Sequence, residues 1–188
     1  MAGPSPGDGT PTLEDVMRPF VAAIVAKRPL LDLALSDRQR RRVLESISGD
    51  LRKLGDVVTP TLIAPLVSIA AREAAERKGI DLCQEDWHSQ TRFDPGRGLF
   101  HVEHVTTVSA LRDVCLRAPS PEALIRSLTT GIRIAWILKA EDAELTRLGY
   151  RSHRPDPGVA YRQAGIDLVP CHPRPPRDDA TGAEVSPA

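Results

Sequence analysis

With 188 residues, 41% of them hydrophobic, the chain is long enough to bury a core of its own and is no peptide-sized scaffold dependent on staples. Its 25 basic and 25 acidic side chains cancel, which excludes a global field for nucleic acid or an anionic membrane and leaves any such partner to a local patch. No run approaches the ~18 uninterrupted apolar residues of a membrane span, and residues 1–11 lack the n- and h-regions of a secretion signal, so a soluble, cytoplasmic protein is expected.

Residues 1–11 and 172–188, rich in Pro, Gly and small polar side chains, are expected to be disordered tails. A helical subdomain is expected over 12–79. Thr12, with Asp15 three residues on, caps a segment in which Leu13, Val16, Met17, Phe20 and Ile24 recur at helical spacing; Pro19 should kink it or reset its first turn. Ser36 and Gln39 form a second capping box ahead of Val43, Leu44, Ile47, Leu51 and Leu54, with Gly55 as the stop. A third helix is expected from Thr59-Pro60 to Gly79, carrying Leu62, Ile63, Leu66, Val67 and Ala70 past Pro65.

After Gly79 the pattern changes to an α+β subdomain over 80–171. Gln90 to Phe93 and Leu99 to Val105 flank Asp94-Pro95-Gly96-Arg97-Gly98 and read as a β-hairpin. Two short helices follow, Val108 to Leu116 and Pro121 to Leu128, the second capped by Ser120. Ile132 to Leu138 reads as a strand and Ala140 to Leu148 as a helix stopped by Gly149. A last short helix opens at Asp156-Pro157 and ends at Gly165, before Ile166 to Val169. The expected fold is therefore α+β and predominantly α-helical, an N-terminal three-helix unit followed by a small antiparallel sheet with short helices.

The segment Phe100-His101-Val102-Glu103-His104-Val105 is the densest run of metal-capable side chains. Continued as a strand, it puts His101 and Glu103 on one face and Phe100, Val102 and His104 on the other. If the strand instead ends near Glu103, a bend brings Glu103 and His104 together, which is the arrangement that favours chemistry. Cys83, Cys115 and Cys171 are odd in number, far apart and without a CxxC pair, so neither a disulfide framework nor a zinc finger is indicated. A zinc reading would draw on His101, His104 and Cys115 with Cys83 or His88, but the spacing lacks a second clustered pair, and zinc is the lesser reading.

Glu103-His104-Val105 at the end of a hairpin strand resembles the opening element of HNH, or ββα-metal, nucleases. In that family an acidic residue binds the metal and the histidine activates water. The resemblance implies a Mg2+ or Mn2+ ion held by Glu103 with Glu141 or Asp142 from the helix after Ile132 to Leu138; His101, from the same dense run, is a further candidate ligand. It also implies His104 as base and Arg97 as a brace for a phosphate oxygen. Thr107 stands where the family has proline, and the chain contains no Asn for the orienting role, which would pass to Ser109, Asp113 or a backbone carbonyl. The wider pattern of Glu103-His104-Val105, then Glu141-Asp142 with Leu145, then Tyr161-Arg162-Gln163-Ala164-Gly165-Ile166 is similar to a group of uncharacterised actinobacterial-type proteins and covers about residues 97–169.

Arg38-Gln39-Arg40-Arg41-Arg42 gives the second helix a basic stripe, of which Arg38, Arg41 and Arg42 are the candidate DNA contacts. The opposing reading is a solvated face balanced by Asp37, Glu45 and Asp50. No phosphate loop, GxSxG elbow or HExxH is present, which leaves nucleotide hydrolysis, dinucleotide redox chemistry, serine hydrolysis and zinc proteolysis without support. The expected function is a metal-dependent DNA endonuclease of the kind used in restriction or phage defence. The alternative is a non-catalytic DNA- or protein-binding regulator, with a homo-oligomer or a partner chain as its target.

Overall fold

The structure, a computed structural model, describes residues 10–171; the expected tails at 1–11 and 172–188 lie almost wholly outside the described residues. Helix α1 (Leu13–Lys27) starts at the expected box, with Asp15 N–H donating to the Thr12 hydroxyl and Thr12 N–H donating to the Asp15 carboxylate, and it continues through Pro19 instead of restarting after it. Helix α2 (Asp37–Val58) uses the Ser36–Gln39 box and runs past Gly55, which is a packing position and not a stop. Its stripe of Ile47, Leu51, Leu54 and Val58 is buried against α1, α5 (Val108–Arg117) and α6 (Pro121–Gly131), where Met17, Val21, Ile24, Leu111, Leu124 and Leu128 complete one core.

The expected third helix is two elements. Leu66-Val67-Ser68 forms strand β1, and only Ile69–Arg77 forms α3, capped by Ser68. The physical reason is the pair of prolines: Pro60 and Pro65 deny the segment between them a helical ladder, and a short apolar run fits a buried strand as well as a helix. The expected hairpin does not form either. Gln90–Phe93 is a single helical turn, α4, and the partner of β2 (Phe100–His104) is β3 (Ile134–Leu138), paired antiparallel with Phe100 opposite Leu138 and His104 opposite Ile134.

Asp94 explains why the turn was legible and the pairing was not. Its carboxylate accepts N–H bonds from Gly98, Leu99 and Phe100 at 2.9–3.2 Å and from the Gln90 side chain at 3.0 Å. The same Gln90 amide donates to Phe100 O at 2.8 Å. Side chains thus do the work a second strand would have done, and Gly96 and Arg97 take the left-handed conformations, φ 72° and 52°, that the tight chain reversal needs.

Helix α7 (Lys139–Arg147), α8 (Pro157–Gln163) and strand β4 (Leu168–Pro170) finish the chain. The sheet order is β2-β3-β1-β4, with β1 parallel to β3 and the outer pairs antiparallel, so the predominantly helical α+β class holds but the sheet is mixed. One sheet face packs Val67, Phe100 and Trp136 against α3 and Leu82; the other packs Ala135 and Ile137 against Leu145, Tyr161 and Ile166. The chain crosses between helix cluster and sheet several times, since β1 and α3 belong to the sheet while α5 and α6 belong to the cluster.

Cys83 and Cys171 form a disulfide with Cα atoms 5.3 Å apart, against the expectation of no disulfide, while Cys115 is buried and free. The spacing of 88 residues hides such a pair from sequence inspection, because only the return of β4 beside β1 brings residue 171 to the loop after α3.

Reducing this bond frees a long loop in the unfolded chain and is expected to lower stability by about 2–4 kcal/mol, seen as a lower denaturant midpoint in the presence of reductant. A second expectation concerns Asp94. Burial works against its charged form, but the N–H donors of Phe100, Gln90, Leu99 and Gly98 outweigh burial and hold its pKa below the usual carboxylate value. Its contribution is therefore complete above roughly pH 4 and is lost as pH falls through the lower folded-state value. Asp94→Asn should destabilise the protein at neutral pH and flatten the acid limb of a stability-versus-pH curve; an unchanged limb would remove this role.

Candidate metal centre

Strand β2 stays extended through His104, so its side chains alternate and the bend that would bring Glu103 and His104 together does not occur. His101 and Glu103 lie on the face covered by α7 and α8, with His101 Nε2 donating to Glu103 Oε2 at 3.0 Å. Asp142 in the first turn of α7 brings Oδ1 to 3.6 Å from the same nitrogen. One ligand atom from each of His101, Glu103 and Asp142 lies within 4.8 Å of the others. Coordination at roughly 2.0–2.2 Å gives neighbouring donor atoms separations of about 3 to 3.5 Å, so small side-chain rotations suffice for a shared cation.

Glu141 is brought near but is otherwise engaged. Its Oε2 accepts from Ser68 Oγ at 2.6 Å and from Leu138 N–H at 2.7 Å, which caps α7 and ties it to β1. His104 faces the opposite way. Its Nε2 is buried without a hydrogen-bond partner among the described residues, 3.1 Å from the place a Cβ on Gly55 would occupy. Burial pushes its pKa down, and Arg52, Arg154 and His101 push the same way against Glu103. A ring nitrogen walled in by α2 cannot reach an attacking water, so the expected base is not presented there. Arg97 is committed to Trp87, with its guanidinium 3.2 Å from the ring centroid and Nη2 donating to Trp87 O.

Arg154 is the residue that sequence reasoning missed. Its side chain is 1% exposed, and it donates through Nη2 to Glu103 Oε1, through Nη1 to His104 O at 2.9 Å and through Nε to Tyr150 O at 2.7 Å. The guanidinium also stands over the Tyr161 ring at 5.4 Å. Nothing in Ser152-His153-Arg154-Pro155-Asp156 marks it out, because no periodicity reveals a buried charge in a loop. Burial works against the Glu103 carboxylate's charge, but His101 and Arg154 more than offset it and keep its pKa below the ordinary value. Around the triad, exposed Lys139 stands 3.4 Å from His101 Nδ1, a position from which it competes with any cation.

Arg38, Arg41 and Arg42 lie exposed along the first turns of α2 and form no ion pair among the described residues; Asp50 pairs instead with Lys27. Those arginines are remote in sequence and element from the His101–Glu103–Asp142 cluster. The chain matches no protein-family model, no curated protein and no solved structure.

Arg154→Met leaves the part-buried Glu103 carboxylate without its main cationic partner. Removing one member of such a pair is expected to cost about 3–5 kcal/mol. Adding Glu103→Gln should recover part of that loss in a double-mutant cycle, and additive effects in chemical denaturation would show that the two residues act separately.

Proposed function

We propose that this protein is a divalent-cation-dependent phosphodiesterase acting on DNA, with the cation held by His101, Glu103 and Asp142. The observation that carries the reading is the convergence of an imidazole and two carboxylates from β2 and α7. The strands β2 and β3 are antiparallel and α7 follows β3, so the two ligand-bearing elements belong to a ββα arrangement with α5 and α6 inserted between its strands. A ligand set of one imidazole and two carboxylates suits Mn2+ better than Mg2+, which favours oxygen throughout. The cation would polarise a phosphate oxygen and lower the pKa of a bound water, which relieves the chain of the base role expected of His104. Ligation through Nε2 would move the His101 proton from that nitrogen, where it is now shared with Glu103, to Nδ1, which Lys139 would leave free by turning outward. The exposed arginines Arg38, Arg41 and Arg42 supply the duplex contacts in this reading.

One observation favours a second reading, a non-catalytic protein that binds DNA or another chain. Both oxygens of Glu103 already have protein donors, His101 and Arg154, so the polar cluster is closed and serves the fold without an ion. Among the described residues, no helix is long and apolar enough to cross a membrane. The cytoplasmic location expected from the sequence implies reduced Cys83 and Cys171, and a mass measurement on protein isolated under thiol-blocking conditions reads which state the cell maintains.

Mn2+ at about 100 times its dissociation constant is expected to stabilise the protein by about 2.7 kcal/mol, and this gain should vanish in Asp142→Asn and His101→Ala. Lys139→Ala should tighten Mn2+ binding. Nicking of supercoiled plasmid should require Mn2+ and be lost in the same two variants. If calorimetry shows no Mn2+ uptake by the wild type, the phosphodiesterase reading fails and the binding protein stands.

A further inference from the structure

The end of β2, at Glu103 and His104, meets α2, the start of α5 and the loop after α7 around a cavity of about 300 Å³. Three arginines from separate elements line it: Arg52 from α2, Arg112 from α5 and Arg151 from the loop. Elements distant in sequence have brought like charges to one concavity, an arrangement that costs energy unless an anion answers it. Arg52 and Arg151 form no ion pair or hydrogen bond among the described residues, and both are exposed. Arg112 Nε is buried with no hydrogen-bond acceptor, its nearest carboxylate, Asp113, standing 4.0 Å away, and its Nη1 makes only a long 3.4 Å contact with Ser48 Oγ. The one carboxylate among the lining residues, Glu103, is already paired with Arg154.

Helix α5 adds to the positive field. Val108 and Ser109 at its start line the same cavity, and among the described residues their backbone N–H groups have no acceptor, since the Thr107 cap serves Ala110. Forked guanidinium donors and oriented N–H groups suit the geometry of a tetrahedral oxyanion. A carboxylate would use one guanidinium fork; three arginines around a space this size match an anion that presents oxygens in several directions. No Trp, Tyr or Phe lines the cavity, and the one imidazole there, His104, is packed against Gly55, so the lining suits the phosphate itself more than a base.

We propose that this cavity is a phosphate-binding site, for a phosphate that is either free or part of a nucleic-acid backbone. It does not require a cation at His101, Glu103 and Asp142, and it stands whether or not the phosphodiesterase reading survives.

The test is calorimetric titration of the full chain in the presence of EDTA, once with inorganic phosphate and once with a short single-stranded oligonucleotide lacking terminal phosphates. Saturable binding is expected with at least one of them, inorganic phosphate alone identifying a free-phosphate site and the oligonucleotide a backbone site. Arg52→Gln and Arg151→Gln should each weaken binding by roughly tenfold, the size of a lost charge-assisted hydrogen bond. Both side chains are exposed and unpaired, so circular dichroism should stay unchanged and the thermal midpoint should not fall, and the loss then reads as a lost contact. Binding of neither probe, or affinity unchanged in both variants, overturns the proposal. Because chelator is present throughout, failure here leaves the cation reading to its own experiment.

Discussion

A guanidinium taken out of water must find acceptors for its donors, and Arg154 finds them where several elements meet. It holds the carbonyls of His104 and Tyr150, pairs with the Glu103 carboxylate and lies over the Tyr161 ring. These contacts join the edge strand β2, the segment after α7 and the helix α8, beside the apolar cluster in which Val105, Tyr150 and Tyr161 pack. Removing either charge would leave the other stranded in a poorly solvated place, so the pair acts as a constraint as much as an attraction. The loop between α7 and α8 is therefore fixed against the sheet, and the same loop carries Arg151 to the neighbouring cavity.

That constraint also decides what Glu103 can do. An ionised carboxylate with one oxygen on Arg154 and the other on His101 is oriented without being free, and Asp142 completes the group from a helix capped by Glu141. The two adjacent acids of α7 thus divide their labour: Glu141 reaches back to Leu138 N–H and Ser68, and Asp142 turns toward His101. Helix geometry enforces the division, because consecutive residues on a helix do not face the same way.

Alternation along β2 separates the two histidines with equal force. His101 joins the polar cluster, whereas His104 packs against Gly55, where the absence of a Cβ on α2 is what admits the ring. Gly55 therefore couples helix cluster to sheet through close approach, a different use from the helix stop that glycine commonly signals. Glu103 belongs both to the carboxylate-rich cluster and to the lining of the positive cavity, and it is paired with Arg154.

The sequence by itself determined the local events. Capping boxes at Thr12 and Ser36, the caps at Ser120 and Asp156, the turn at Asp94 and the amphipathic stripes of α1 and α2 all depend on residues within a few positions of one another, so their physics is written in short windows. The alternation that set His101 with Glu103 was legible for the same reason, whereas Asp142 was named, beside Glu141, only through the resemblance to ββα-metal nucleases. What only the tertiary structure decided was pairing over distance: β2 with β3 across two intervening helices, the strand at Leu66-Val67-Ser68, the Cys83–Cys171 bond, and the burial of Arg154. Each of these turns on which surfaces meet after the chain returns on itself. A strand's partner, a cysteine's mate and a buried charge's counter-ion are chosen by that meeting, and no local window contains both members.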